Sequence, residues 1–116
     1  MLERHFNLRI RQESGVCLIE GWSVGDKILD KYDELMQFIS VHLEKNDRII
    51  IYFQLHLFDL KSLSKMFKMI KVLNHYHSEG KKVFVKWGWR DAVSLMKRSG
   101  EDIKELCNFS FELFKY

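Results

Sequence analysis

Arg48-Ile49-Ile50-Ile51-Tyr52-Phe53-Gln54-Leu55 is the stretch on which the fold turns. A continuous β-branched and aromatic run of this length predicts a central strand covered on both faces, because its side chains alternate between faces and nearly all of them are apolar. Asn46-Asp47 breaks the chain just before it. Upstream, Leu29, Tyr32, Met36, Ile39 and Leu43 recur at spacings of three and four, with Ile28 and Leu35 widening the stripe. That pattern predicts an amphipathic helix from about Asp26 to Glu44, with Asp26 capping its free N–H groups. Downstream, a second helix is predicted from about Leu60 to Ser78, and Gly80 is its natural stop.

The remaining elements follow outward from these. His5 to Gln12 alternates with period two and reads as a half-buried strand. Glu13-Ser14-Gly15 supplies a turn, and Val16 to Glu20 returns to complete a hairpin. Val83 to Trp87 is a further strand. Asp91 to roughly Cys107 reads as one or two short helices interrupted at Gly100, and Phe109 to Phe114 alternates again and closes the sheet. The order is ββαβαβαβ. Strand–helix–strand crossovers are right-handed, so the expected fold class is α/β: a mixed sheet with helices packed mainly on one face.

The chain of 116 residues is sized for a single domain spanning 1–116, and 47% hydrophobic with 30% charged residues is globular composition. No apolar run approaches the ~20 residues that span a bilayer. The polar start Met1-Leu2-Glu3-Arg4-His5 has no apolar signal core, so the expectation is a cytoplasmic domain away from membranes. A net charge of +3 interspersed along the chain lacks the basic stripe of a nucleic-acid binder. Cys17 and Cys107 sit far apart in apolar contexts and read as reduced, buried thiols. With no CxxC pair, a zinc site has no support, and no cofactor is expected.

Residues that carry chemistry are sparse. No Gly-rich phosphate loop, no HExxH and no GxSxG elbow is expected. His75 and His77 are two apart, which on a helix points them about 200° from each other, so they do not share a metal. His56 and Asp59, at a strand end, allow an acid–base pair to be considered. Without a nucleophile or oxyanion donor beside them, the ordinary reading of Asp59 as a helix cap is preferred. An anion-sensing site at the same helix start is a further alternative.

The second helix is more informative. Leu63, Met66, Phe67, Ile70, Leu73 and His77 fall in one arc, and Met69, Val72 and Tyr76 extend it on one side beyond the usual stripe. Lys61, Lys68, Lys71 and His75 occupy the rest, with Lys65 near the border. That flank either packs on the neighbouring helix or forms a docking surface for a protein with an acidic face. Trp87-Gly88-Trp89 places two aromatics at a strand end. Trp87 is expected inward, and Trp89 is a candidate anchor for a partner.

Taken in order, several pieces fit one pattern: Phe53-Gln54-Leu55-His56-Leu57-Phe58-Asp59, the helix after it, Val83 to Trp89, and Ser99-Gly100-Glu101-Asp102 before a Phe-rich strand. The chain resembles the SiaC-type bacterial regulatory phosphoproteins, relatives in fold of the STAS domains of anti-sigma-factor antagonists. Gly21-Trp22-Ser23 is similar to that family's Gly-x-Ser near the end of the second strand. The resemblance implies a STAS-like, non-enzymatic signalling protein that docks on protein partners. It also implies a dedicated kinase and phosphatase, and a tie to cyclic-di-GMP synthesis by a diguanylate cyclase.

The family's phosphorylated threonine lies in an Asn-Thr-Ser-Ser stretch before the second helix. There a phosphate meets free N–H donors and the positive end of the helix dipole. Here Asp59 matches the asparagine, but Leu60 stands at the threonine and Lys61 at the first serine; only Ser62 is retained. Leucine accepts no phosphate. The resemblance leaves Ser62 or Ser64 as replacement acceptors, Asp59 as a fixed negative charge, or a protein that docks constitutively, and the last is the expectation carried forward. The docking surface is expected around Asp59, Leu60, Ser62, Lys65 and Met69.

Overall fold

The computed structural model describes residues 7–90 and 95–116. In chain order the elements are β1 (Leu8–Glu13), β2 (Val16–Ser23), a 3-10 turn (Asp26–Ile28), α1 (Leu29–Lys45), β3 (Arg48–Phe58), α2 (Leu60–Ser78), β4 (Lys82–Trp89), α3 (Leu95–Lys104) and β5 (Ser110–Lys115). The expected starts at His5–Phe6 and at Asp91 lie outside the described residues.

The strands form one five-stranded sheet in the order β1-β2-β3-β4-β5. β1 and β2 pair antiparallel, and every later neighbour is parallel. Each parallel step moves one place in the same direction across the sheet. With right-handed crossovers, that progression sends all the helices to one face. Ile49, Ile51, Phe53 and Leu55 of β3 point to that face together with Val83, Val85 and Trp87 of β4, and all are buried. They meet Tyr32, Leu35, Ile39 and Leu43 of α1 and Met66, Met69, Ile70 and Leu73 of α2. Each such side chain contributes roughly 1.5–3 kcal/mol when fully withdrawn from water.

The sequence reading of β3 as covered on both faces is corrected here. Ile50 and Tyr52 point to the helix-free side and are half-buried, sheltered by neighbouring strands. Tyr52 meets the Phe114 ring edge-on at 6.2 Å, and Phe84 lies under the Arg48 guanidinium at 5.2 Å. This face is aromatic without being a second core.

Two other expectations change. Asp26 does not cap α1: its residues start a 3-10 turn with no side-chain cap, and its carboxylate instead pairs with Lys61. Gly100 does not interrupt α3, which runs through it. A Cβ there would lie 2.4 Å from Cδ1 of Trp87, so glycine is present to let the helix backbone rest on the indole. Trp87 is inward as expected, 1% exposed, and its Nε1–H donates to the Met96 carbonyl at 2.8 Å.

Candidate functional site

The residues that end β2 and begin α2 come together at the C-terminal end of the parallel strands. Gly21 makes this possible. Its φ of +106° belongs to the left-handed region, and a Cβ on it would meet the Asn7 carbonyl oxygen at 2.2 Å. The β2–β3 register slips here, from Gly21 opposite Leu55 to Trp22 opposite Leu57, leaving His56 as the extra residue of a bulge. Ser23 is thereby aimed into the protein.

Ser23 and Ser62 are fully buried, both 0% exposed. Ser62 Oγ–H donates to the Ser23 carbonyl, and Ser23 Oγ–H donates to Ser62 Oγ at 2.8 Å. With those two protons placed, the 2.7 Å contact between Ser23 Oγ and Tyr32 leaves the tyrosine as donor. Burial, offset by the Ser23 bond and reinforced by the Asp59 charge, pushes the Tyr32 hydroxyl up to about 12, so it keeps its proton. No described buried side-chain polar atom is left without a partner.

Asp59 caps α2 as expected. One carboxylate oxygen accepts from the Ser62 N–H at 2.9 Å and the other from the Gly25 N–H at 2.9 Å, so a single side chain holds both the helix start and the β2–α1 loop. Burial works to raise its pKa, but the hydrogen bonds from Gly25 and Ser62 outweigh it and hold the carboxyl below the usual value.

These placements settle where each candidate residue sits. Leu60, the first residue of α2, is 82% exposed, and Lys61 points to the Asp26 carboxylate. Ser62, considered as a phosphate acceptor, is sealed in the hydroxyl chain, whereas Ser64 is exposed. The flank assigned to docking is corrected. Met69 and Tyr76 are in the core, Val72 packs against it, and the Tyr76 hydroxyl donates to the Ser40 carbonyl and to Glu44 of α1 at 3.4 and 3.2 Å. Lys65 pairs with Asp33 of α1 at 2.6 Å. The wide apolar arc of α2 is the surface on which α1 packs. Trp89 lies at the same end of the sheet, partly buried, with the ammonium groups of Lys97 and Lys115 over its ring at 5.1 and 5.5 Å.

The chemistry considered for this end does not assemble. His56 lies against the Trp22 indole, ring centroids 5.6 Å apart, while both Asp59 oxygens are taken by backbone N–H groups. Gly21-Trp22-Ser23-Val24-Gly25 does have the Gly-x-Ser-x-Gly spacing of hydrolase nucleophiles, which corrects the expectation that no such elbow is present. Ser23 is fully buried and bonded to Ser62 and Tyr32, without the exposure that such a nucleophile requires. An incoming anion would meet the fixed Asp59 carboxylate instead of free helix N–H groups. Among the described residues no three His, Cys, Asp or Glu side chains converge as metal ligands. Burial pushes the Cys17 and Cys107 thiols up to about 11, which keeps them neutral and unreactive at physiological pH.

On the other flank of α2 lies a feature the sequence reading missed. Leu63 and Phe67 face Ile103 and Leu106 across an open, mostly apolar groove of about 330 Å³, with Phe58 at one end and Asp102 and Glu105 on the α3 side. Phe67 is 40% and Leu106 51% exposed. The periodicity puts Leu63 and Phe67 in one apolar arc with Met66, Ile70 and Leu73. What identifies the groove is α3 stopping short of covering them, which no helical wheel of α2 alone contains.

A five-stranded mixed sheet with its helices on one face gives an α/β domain of STAS-like order. The chain belongs to the SiaC family of regulatory phosphoproteins, whose family model matches residues 4–116. A search of curated proteins by sequence gives no match. Solved structures carry the same fold. A crystal structure of the Pseudomonas aeruginosa diguanylate cyclase SiaD in complex with its activator SiaC contains a chain superposing with TM-score 0.85 at 14% identity, covering 97% of this chain and 94% of that one. Apo-SiaC of Pseudomonas aeruginosa superposes with TM-score 0.82 at 15% identity, covering 94% and 91%. No helix among the described residues is long and apolar enough to cross a membrane.

Proposed function

We propose that this protein is a non-enzymatic regulator that docks on a diguanylate cyclase through the Leu60 end of α2, and does so without phosphorylation at that position. The observation that carries this reading is Leu60 itself: a leucine 82% exposed at the first position of a helix whose start is otherwise fixed by Asp59. An apolar side chain held out on a rigid element is the form of a binding anchor. The family assignment supplies the regulatory class, and the likeness to SiaC in its cyclase complex supplies the class of partner. With such a partner, the proposed site of action is the cytoplasm.

The same residue argues against the family switch at this site. Leu60 has no hydroxyl, and Ser62 is sealed beneath the helix. A kinase and phosphatase pair has no acceptor at either position, and docking is constitutive. Co-expression with the diguanylate cyclase of the same host tests the reading: the wild-type protein is expected to co-purify with it, and Leu60→Glu to lose most of that recovery. Equal recovery of the two contradicts it. Intact mass of protein from the native host is expected to be that of the unmodified chain. A population heavier by one phosphoryl group, mapped to Ser64, would replace constitutive docking with a displaced switch.

A further inference from the structure

The groove between α2 and α3 has an unbalanced charge. Asp102 and Glu105 line its α3 side, and neither side chain has an ion pair or side-chain hydrogen bond among the described residues. By contrast, Lys61 and Lys65 of α2 are already matched to Asp26 and Asp33. Along α2, Leu60, Leu63 and Phe67 share one stripe at spacings of three and four, so the exposed leucine at the helix start leads into the groove. Lys68 lies off this stripe and is exposed, whereas Lys71, four positions after Phe67, continues it past the lining residues. Leu106 is held in place by the Asn74 side-chain amide, which donates to its carbonyl at 3.0 Å, while the Asn74 oxygen accepts from the Asn108 N–H at 2.8 Å. The result is an apolar trough lined by Phe58, Leu63, Phe67, Ile103 and Leu106 with an acidic lip.

We propose that this groove is where the partner is read: it takes a short amphipathic segment that sets apolar side chains against Leu63, Phe67 and Leu106 and presents lysine or arginine to Asp102 and Glu105. The occupant is chosen by charge. Two unpaired carboxylates at the edge of an apolar surface repel an acidic segment and stabilise a basic one, which gives specificity and faster association. The acidic-faced partner expected from the lysines of α2 is not what this groove selects, because its own lip is acidic. This inference rests on the proposed function and adds the contact surface and the chemistry of the segment bound.

The test measures affinity for the same cyclase with three variants at matched low and high salt. Asp102→Lys/Glu105→Lys places cations at a helix C-terminus, where the dipole favours them, so the fold is expected to persist and is checked by its melting curve. This variant is expected to weaken binding by about tenfold at low salt, with the difference shrinking at high salt. Phe67→Glu is expected to weaken it at both. Lys68→Glu, off the stripe, is expected to bind as the wild type. Wild-type binding that survives the acidic reversal and Phe67→Glu unchanged overturns the groove while leaving the proposed function standing. Loss confined to Lys68→Glu also overturns it, in favour of an acidic partner. A concentration-dependent dimer of this protein abolished by the acidic reversal assigns the groove to a second copy and overturns it as well. Absence of any wild-type binding fails both proposals together.

Discussion

Ser23 and Ser62, thirty-nine positions apart in sequence, share a 2.8 Å hydrogen bond between fully buried hydroxyls at the junction of β2 and α2. The bond fastens the start of α2 to the sheet, so that what the helix presents at Leu60 is set by the core beneath it. An anchor held in this way loses little conformational freedom on binding, which is where preorganisation adds affinity.

Replacing Ser62 by alanine leaves the Ser23 hydroxyl without its acceptor and the Ser23 carbonyl with only the Asp59 N–H, at 3.2 Å. The expected loss is about 1–3 kcal/mol of unfolding free energy, measured by urea denaturation of Ser62→Ala against wild type. A loss well below that range would mean that the hydroxyl chain is not the fastening described.

Asp59→Ala removes the cap of α2 and the tie to Gly25 together, at a cost of about 0.5–2 kcal/mol at neutral pH. The sign of its pH dependence follows from the lowered carboxyl pKa. The charged form is favoured in the folded state, so its contribution is complete above the unfolded value of 3.8 and is lost as pH falls through the lower folded value. Wild type and Asp59→Ala are expected to differ at pH 7 and to converge in the acid range below the ordinary carboxyl value. A gap that does not narrow in acid would contradict the cap as the source of the effect.

Gly100→Ala sets helix propensity against packing. Alanine in place of glycine favours the helix by about 1 kcal/mol, but its Cβ must displace the Trp87 indole, which it would otherwise approach to 2.4 Å. Indole and helix are both held, the former by its bond to the Met96 carbonyl, so overpacking of about 1–3 kcal/mol is expected to prevail. The check is a lower melting temperature with altered near-ultraviolet tryptophan signal. An unchanged or raised melting temperature would show that Trp87 yields easily.

Much of this fold is legible in the sequence because its signals are local. The run Ile49–Ile51, the three-and-four spacing of Tyr32, Met36, Ile39 and Leu43, and Asp59 before a helix each express the preference of their own segment. Trp87 inward and the order ββαβαβαβ follow from the same signals. What was not legible depends on partners distant in sequence. Met69 and Tyr76 look like an extra apolar flank until α1 is set beside them, and Phe67 looks like core until α3 is seen to leave it open. Gly100 reads as a helix breaker because the indole that requires it is thirteen positions away. Ser23 and Ser62 are ordinary serines in sequence, and only the bulge after Gly21 brings their hydroxyls together.

Calorimetric titration of the partner diguanylate cyclase with purified, unphosphorylated protein tests the central claim most directly. Saturable binding by the wild type, weakened about tenfold or more by Leu60→Glu at unchanged melting temperature, is the predicted result. Binding indifferent to Leu60→Glu, or binding that appears only after a phosphoryl group has been added elsewhere on the chain, would contradict it.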